Sequence, residues 1–284
     1  MKNQIFIEVR LPKAGLANKL FILGQAIRFK VDNNGFILKP NFSQLMIGPF
    51  FRSERDLRFY GNLFTAHPVE VCGIKKFFIK IILNPVNYNY YRADGVNSNF
   101  KKLIIIDGQY HSFESINSIK NELRDYIFKI IKIKWIERAK NANVQAVGVH
   151  VRLGDFGKQK QSIFWYVDAV NFVRSIAGNV KVTIFSDGSR DALQPLLALD
   201  DVELIYTGSA VSDLIALSRV KFLIGTGASS FSAWACFLGG MPAMTRLGNP
   251  FTWFDLNCGE TFIGEWNIEK PDPALIDAIK ISLS

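Results

Sequence analysis

Short apolar runs alternate with longer amphipathic stretches along most of the chain. The first run, QIFIEVRL at residues 4–11, is followed by Gly15 and by the apolar stretch LANKLFILGQAIRF at 16–29. Aliphatic and aromatic runs bounded by turn residues are typical of strands, so this opening predicts a strand, a glycine turn and a helix. Further strands are predicted at 35–40 and in KKLIIIDGQY at 101–110, and a helix at 115–135.

The alternation becomes regular in the second half. Four strands are predicted there, at 146–151, 180–187, 202–207 and 221–227. Each precedes a helical pattern, at 163–177, 189–199, 210–220 and 229–239. Consecutive strand–helix units predict a doubly wound parallel sheet.

The polar stretch ERAKNANVQ at 137–145 is predicted to link two domains. We therefore expect an N-terminal domain over 1–143 and a C-terminal domain over 144–284. A last helix over 272–283 can pack back across the first domain. Residues 41–70 give no readable pattern.

Composition indicates an ordinary globular protein, with 49% hydrophobic and 21% charged residues among 284. The three cysteines, Cys72, Cys236 and Cys258, form no CxxC pair, so neither a zinc site nor a disulfide framework is indicated. The start of the chain has too short an apolar run for a signal peptide, and no stretch has the length of a membrane helix. We expect a cytoplasmic protein.

The net charge of +9 is unevenly distributed. Residues 1–149 carry 23 Lys and Arg against 11 Asp and Glu, whereas residues 150–284 carry 11 against 14. The most unusual basic stretch is GIKKFFIKIILNPVNYNYYR at 73–92, which has four basic residues and no acid. Cations interleaved with aromatic and aliphatic residues suit an anionic membrane interface. The alternative, a core helix whose lysines face solvent, fits the same pattern equally well. No nucleic-acid partner is expected, because no known binding module accompanies the patch.

Polar residues follow several of the predicted strands. In VHVRLGD, His150 and Arg152 share one strand face, because side chains alternate with period two. A strand-end arginine needs an anion, either a carboxylate such as Asp155 or the phosphate of a ligand, and the residues alone leave both open. Asp107, Tyr110 and His111 follow the strand of the first half, at the edge where parallel sheets hold ligands.

Three further turns are candidates for ligand binding. The helix that begins at Ser229 and Ser230 offers amides and hydroxyls to an anion, or its serines only cap the helix. Asp187 either caps a helix or accepts hydrogen bonds from a nucleotide. The turn AGLANK, with Gly15 and Asn18, is either a plain strand–helix turn or a cover for a ligand.

Taken in order, these stretches resemble the α-1,2-fucosyltransferase family of bacterial surface-polysaccharide synthesis, glycosyltransferase family 11. GLANKLF at 15–21 is similar to the family pattern Gly-Leu-Gly-Asn-Gln-Leu/Met-Phe, and IDGQYHS at 106–112 to Leu-Asp-Gly-Tyr-Trp-Gln-Ser. HVRLGDF at 150–156 resembles His-Val-Arg-Arg-Gly-Asp-Tyr, and FSDG at 185–188 resembles Phe-Ser-Asp-Asp. The stretch 213–234 is similar to the late Ser-Ser-Phe-Ser-Trp-Trp block.

Several positions depart from the family pattern. Leu153 stands where the family has a second arginine, and Gly188 where it has a second aspartate. Ala17 replaces a glycine and Lys19 a glutamine, and Thr226 with Gly227 stands in a Ser/Asn region. These departures bear on the choice of donor and acceptor rather than on the fold.

The resemblance implies an α/β fold of the GT-B type, with two Rossmann-like domains facing a cleft. The domain over 1–143 is then the acceptor-side domain, and the domain over 144–284 is the nucleotide-sugar domain. It also implies an inverting, metal-independent transfer of L-fucose from GDP-β-L-fucose, with the 2-hydroxyl of galactose in a polysaccharide or oligosaccharide as acceptor. No cofactor is expected, and the partners are the nucleotide sugar and the glycan.

The resemblance also implies roles for the candidate residues. Without a metal, a guanidinium and helix-terminal amides must neutralise the leaving diphosphate, which we assign to Arg152 and to the helix at Ser229. Asp155 either orients Arg152 or acts as the base, for which Asp107 and His111 are alternatives, with Tyr110 beside them. The donor-binding set is His150, Arg152, Asp187, Ser229, Ser230, Phe231, Ser232, Gly15 and Asn18.

Two rival hypotheses remain. The same scaffold can use another nucleotide sugar, because the departures reshape the donor pocket. Alternatively, the chain is a basic, non-enzymatic protein that binds glycan or nucleic acid through residues 1–149. For the enzyme, we expect a position on the inner face of the membrane, with peripheral contact through 73–92.

Overall fold

The computed structural model describes residues 4–44, 58–87, 102–108, 112–153, 161–248, 251–256 and 261–284. The described residues up to Lys132 form one compact unit, and those from Ile133 onward form a second. Each unit is built on its own parallel sheet.

The first unit has a four-stranded sheet in the order β2-β1-β4-β3. Its strands are β1 (Ile5–Val9), β2 (Phe36–Leu38), β3 (Pro85–Asn87) and β4 (Lys102–Ile106). β1 and β4 run side by side from the pair Ile5 and Lys102 to the pair Val9 and Ile106. Their apolar residues are almost fully buried, which explains the continuous hydrophobic runs in the sequence.

The described residues of this unit form four helices: α1 (Leu16–Asn33), α2 (Gly73–Ile82), α3 (Glu114–Asn117) and α4 (Lys120–Ile130). The helix predicted over 115–135 is therefore wrong as a single element. It is interrupted after Asn117, and it ends before Ile131, whose backbone is extended and pairs with Phe64. The apolar periodicity continues through these breaks, so it did not reveal them.

The second unit has a six-stranded sheet in the order β10-β9-β8-β5-β6-β7. Its strands are β5 (Val147–Val151), β6 (Val182–Ser186), β7 (Val202–Leu204), β8 (Phe222–Ile224), β9 (Ala243–Arg246) and β10 (Ile263–Trp266). The four predicted strands are present, and β9 and β10 extend the sheet beyond them. The chain passes from β5 outward to β7 on one side and from β8 outward to β10 on the other. The adjacent ends of β5 and β8 therefore form the switch point at which such sheets bind ligands.

The helices of the second unit are α5 (Ile133–Asn141), α6 (Ile163–Ala177), α7 (Gln194–Leu197), α8 (Ala210–Leu217), α9 (Ser230–Gly239) and α10 (Pro273–Leu283). The described residues of this unit also form two 3-10 turns, Asp191–Leu193 and Phe251–Phe254. One core cluster joins the valines of β5 and β6 to α6 and α10. No helix in the described part of the chain is both long and apolar enough to span a membrane.

The boundary between the units lies at residues 132 and 133, not at the predicted 143 and 144. The stretch predicted as a link begins inside α5, which packs on α8. Ser212 Oγ donates to Trp135 O at 2.9 Å, and Arg219 donates to the carbonyl of Ala139. The terminal helix α10 packs within its own unit, against α6 and β8. The sequence pattern correctly located this helix, and its packing across the first domain stays a prediction.

Candidate active site

The ends of β5 and β8 are joined by the hydroxyl of Thr226. Thr226 Oγ1 donates to the carbonyl of His150 at 2.7 Å and accepts the backbone N–H of Arg152 at 3.1 Å. A hydroxyl has one donor and two acceptor positions, so the Tyr166 hydroxyl, 2.6 Å away, is the donor in the third contact. Burial raises the pKa of Tyr166, which keeps its proton on the oxygen. This network fixes the backbone from which the Arg152 side chain extends.

His150 connects the end of β5 to the first turn of α9. Its Nδ1 lies 2.6 Å from Ser232 Oγ, and its ring stacks on Phe231 with centroids 5.0 Å apart. Burial, with the charge of Arg152, lowers the pKa of His150 to about 3. His150 is therefore a neutral imidazole at ordinary pH. The structure thus brings together three of the predicted donor-binding residues: His150, Phe231 and Ser232.

Arg152 forms an ion pair with Asp187 at the end of the neighbouring strand β6. Arg152 Nη1 lies 2.7 Å from Asp187 Oδ2, and the other carboxylate oxygen accepts the backbone N–H of Leu153 at 2.7 Å. Both side chains are largely buried, with 24% and 13% of their area exposed. Asp187 therefore holds two consecutive residues of the segment after β5, which is the positioning function that the sequence suggested for Asp155. Asp155 itself lies outside the described residues.

A second hydroxyl joins β5 and β6. Ser186 Oγ donates to the carbonyl of Val151 at 2.7 Å and accepts the N–H of Gly188 at 3.0 Å. These bonds hold the turn of Asp187 against the end of β5. The first short helix after Asp187 has Arg190 at its N-cap position, so Asp187 does not cap it.

The amino end of α9 has the geometry of an anion-binding helix terminus. Ser229 is the N-cap residue, is 4% exposed, and does not accept a hydrogen bond from the helix amides through its side chain. The preceding Ala228 has a φ of 54°, a left-handed conformation that costs a residue with a β-carbon some free energy. The side chain of Ser229 therefore does not cap the helix, which was the alternative to a role in ligand binding. The first-turn amides need partners outside the helix.

The candidates in the first unit are only partly described. Gly15 is the N-cap residue of α1, and Asn18 lies in its first turn. Asp107 is exposed and directly follows β4, at the switch point between β1 and β4. Tyr110 and His111 lie outside the described residues.

Three polar residues that are buried in the structure were missed from the sequence. Lys19, where the family pattern has glutamine, is fully buried; its Nζ donates to Pro12 O at 2.6 Å and to Gln44 Oε1, and burial lowers its pKa to about 8. Gln161 is 3% exposed, and neither polar atom of its side chain has a hydrogen-bond partner among the described residues. In the sequence, Thr226 stands out only as a departure from the family pattern. Its position at the end of a predicted strand, before Gly227, was the feature that could have identified it as a site residue.

The described residues contain no group of three or more His, Cys, Asp or Glu side chains that could hold a metal ion. At the end of β5, the ion pair that the described residues form joins the guanidinium of Arg152 to the carboxylate of Asp187. A guanidinium beside a helix amino terminus suits a phosphate-bearing ligand.

A family model for glycosyl transferase family 11 matches residues 72–269, which is more than half of the chain. The chain belongs to glycosyl transferase family 11. The predicted family membership is therefore confirmed, and with it the assignment as a glycosyltransferase. No curated protein is significantly similar to this chain in sequence.

Solved structures of fucosyltransferases share the fold of this family 11 member. The α-1,6-fucosyltransferase NodZ from Bradyrhizobium, soaked with GDP-fucose, has a TM-score of 0.57 at 15% identity, over 88% of this chain and 97% of NodZ. A mutant of FUT1 from Arabidopsis thaliana, in complex with GDP, has a TM-score of 0.56 at 9% identity, over 86% and 70%. POFUT1 in complex with GDP has a TM-score of 0.50 at 11% identity, over 93% and 97%. The predicted α/β fold of the GT-B type is confirmed.

Proposed function

We propose that this family 11 enzyme is a fucosyltransferase that uses GDP-β-L-fucose as its donor and inverts the anomeric carbon. One structural observation carries the proposal: Arg152, paired with Asp187, stands at the switch point of the second sheet. Through His150 the same strand end contacts the first turn of α9. A fixed guanidinium and helix-terminal amides suit a nucleotide diphosphate, and the similar structures of NodZ, FUT1 and POFUT1 contain GDP-fucose or GDP.

In this proposal, Arg152 and the amino end of α9 stabilise the GDP leaving group. As the bond between fucose and the diphosphate lengthens, negative charge grows on the phosphate oxygens. Preorganised donors at that place lower the barrier without reorganisation, and they supply the charge stabilisation that a metal provides in other transferases. Metal independence is part of the proposal. Ser229, Ser230, Phe231 and Ser232 then line the donor side, and donor binding by Gly15 and Asn18 stays a prediction from the sequence.

The role of Asp187 changes in this proposal. Because its two oxygens accept from Arg152 and from the Leu153 amide, Asp187 acts by fixing the guanidinium rather than by holding the nucleotide alone. The neutral His150 holds the first turn of α9 beside Arg152. For the base that removes the acceptor proton, Asp155, Asp107 and His111 stay candidates.

The acceptor proposed is the 2-hydroxyl of galactose in a surface polysaccharide or oligosaccharide, on the cytoplasmic side of the membrane. NodZ, which shares the fold, is an α-1,6-fucosyltransferase, so the fold alone does not select the 2-hydroxyl. The 2-position is supported by the ordered sequence motifs, from GLANKLF to the serine block. Polysaccharide synthesis and the cytoplasmic location have the same support.

A second candidate function is transfer of another sugar by the same scaffold. The observation that favours it is the contact between Leu153 and Gly188, which occupy positions where the family pattern has a charged pair. An apolar contact in place of two charges changes the surface beside Arg152.

A panel of nucleotide sugars distinguishes the two candidates. Release of the nucleoside diphosphate is followed for each donor, GDP from GDP-fucose and GDP-mannose and UDP from UDP-galactose and UDP-glucose, with a galactose-terminated oligosaccharide and without acceptor. Fucosyl transfer predicts release from GDP-fucose, increased by the acceptor and unchanged by a chelator. Turnover of another donor with none of GDP-fucose would establish the second candidate, and a product linked at a position other than the 2-hydroxyl would exclude the proposed acceptor position.

A further inference from the structure

The helix α2 turns its more apolar face away from the protein. Five large apolar side chains spaced three and four residues apart form one stripe, and each exposes more than half of its area. We call this stripe the α2 face; it consists of Ile74 (76% exposed), Phe77 (61%), Phe78 (52%), Ile81 (63%) and Ile82 (72%). Helices of globular proteins normally bury such a stripe. An exposed one indicates an interaction surface for a membrane or another protein.

The opposite side of α2 is attached to the first unit by a different set of residues. Ile79 and Leu83 pack on the small core cluster around Phe6 and Leu103. Lys76 Nζ donates to the carbonyl of Lys39 at 2.6 Å, and Lys80 Nζ forms an ion pair with Glu8 at 2.6 Å. The orientation of the helix is therefore fixed by specific contacts, and these contacts leave the apolar stripe outside.

The charges around the stripe are mainly positive. Lys75 is exposed within α2. Burial, together with the nearby positive charges of Lys80 and Lys39, lowers the pKa of Lys76. Glu8 offsets part of this charge. The sequence from Val71 to Ala93 contains no acidic residue. Residues 88–92, which contribute Tyr88, Tyr90, Tyr91 and Arg92 to the stretch, lie outside the described residues.

We propose that the α2 face is a membrane-docking surface that inserts its phenylalanine and isoleucine side chains into the interface of an anionic bilayer. An interfacial helix buries its apolar side at the boundary between headgroups and acyl chains, while lysines at its flanks meet anionic lipids. A second copy of the chain is a poorer partner. A symmetric contact through this face would bring Lys75 and its neighbours close to their own copies, where like charges repel.

This inference concerns where the enzyme works and is independent of the donor and acceptor proposed above. An acceptor built on a lipid carrier is presented at the bilayer surface, and an enzyme docked there meets it at a high local concentration. The surface lies in the first unit, whereas Arg152 and Asp187 lie in the second.

Binding to vesicles tests the inference. The full chain is mixed with vesicles of phosphatidylcholine alone or with phosphatidylglycerol added, and the bound fraction is measured by sedimentation. We expect binding to the anionic vesicles, weakened several-fold when the ionic strength is raised from about 0.1 M to 0.5 M. The double variant Phe77→Gln with Ile81→Gln removes two apolar side chains that would be buried in the bilayer. It is expected to bind on the order of a hundredfold more weakly.

A matched control uses two exposed apolar residues of the second unit. Phe164 is 64% exposed and Ile281 is 78% exposed, so Phe164→Gln with Ile281→Gln removes comparable apolar area elsewhere. This control is expected to bind vesicles like the wild type. Circular dichroism and thermal unfolding establish that both variants are folded, and GDP release from the donor without acceptor is expected to be unchanged in both.

Each other outcome overturns the proposal. Absence of binding to anionic vesicles, or equal loss in the two double variants, removes the α2 face as a docking surface. Equal binding to neutral and anionic vesicles would contradict the proposed recognition of anionic lipid. A lipid-free dimer that Phe77→Gln with Ile81→Gln dissociates, seen by sedimentation equilibrium, would assign the face to a second copy. Loss of folding in that variant would show that the chain itself covers the stripe.

Discussion

Leu153 occupies the space that a side chain at position 188 would need. A β-carbon built on Gly188 would overlap Leu153 Cδ1 and lie 3.2 Å from Leu153 Cβ. These are two of the positions at which the chain departs from the family motifs, one in each of two different motifs. Their contact shows that the two departures are one coupled change: the small residue makes room for the apolar one.

Gly188→Ala is expected to lower the free energy of unfolding by about 1–2 kcal/mol, because the added methyl group displaces Leu153. Leu153→Ala removes the obstacle, so the double variant Leu153→Ala with Gly188→Ala is expected to be more stable than the sum of the two single effects predicts. Urea unfolding of the three variants measures this coupling. Strict additivity of the two changes would contradict the contact.

The hydroxyl of Thr226 is expected to be essential for the stability of the second unit. Thr226→Val keeps the shape but leaves the Tyr166 hydroxyl, the Arg152 N–H and the His150 carbonyl without this partner. Buried polar groups that lose partners cost roughly 1–3 kcal/mol each, so for three such groups a loss of about 3 kcal/mol or more is expected in denaturant unfolding. Thr226→Ser retains the hydroxyl and is the control, expected within about 1 kcal/mol of wild type. Equal losses in both would show that the methyl group, not the hydroxyl, matters.

His150 is expected to make the protein sensitive to acid. The native pKa is lowered to about 3, below the unfolded value of about 6.5, so between these values the unfolded chain binds a proton that the native protein does not. The contribution to stability is complete above pH 6.5 and decreases as the pH falls, by up to about 1.4 kcal/mol per pH unit. Unfolding measured from pH 7.5 to pH 5 should therefore show a shallower pH dependence for His150→Asn than for wild type. Parallel curves would mean that His150 is not held neutral.

Asp187 is expected to act through Arg152. Asp187→Asn keeps an oxygen for the Leu153 amide but removes the negative charge that holds the guanidinium. We expect kcat for GDP-fucose to fall by on the order of tenfold to a hundredfold, with a smaller change in KM, because the positioned guanidinium acts mainly in the transition state. Asp191→Asn, at an exposed position nearby, is the control and should behave like wild type. A large rise in KM with kcat unchanged would instead indicate a direct contact with the nucleotide in the ground state.

The strand–helix units of the second half could be predicted because every central strand is buried on both faces and reads as an apolar run. β9 and β10 could not be predicted, because their sequences, AMTR and IGEW, contain few consecutive apolar residues. These segments form strands only because they pair with the rest of the sheet. The boundary was misplaced because α5 carries a polar surface that resembles a linker, although its other side packs on α8.

The site shows the same division between local pattern and long-range contact. Arg152, His150 and the serine block could be proposed because each follows or begins a predicted element. The pairing of Arg152 with Asp187 could not be chosen over Asp155, because it depends on β5 and β6 lying side by side. Thr226 was not recognised as the residue that joins two strands for the same reason.

The most direct test of the account is GDP release from GDP-fucose by Arg152→Lys, beside the control Arg190→Lys. Lysine keeps the positive charge but cannot reproduce the planar fork that pairs with Asp187 and that, in the proposed function, also binds the diphosphate. The account predicts that kcat/KM falls at least about a hundredfold in Arg152→Lys, with the unfolding temperature almost unchanged, while the exposed Arg190→Lys retains wild-type turnover. Turnover of Arg152→Lys within about twofold of wild type, well under the roughly 1.4 kcal/mol that corresponds to tenfold, would contradict the assignment of Arg152 to the leaving group.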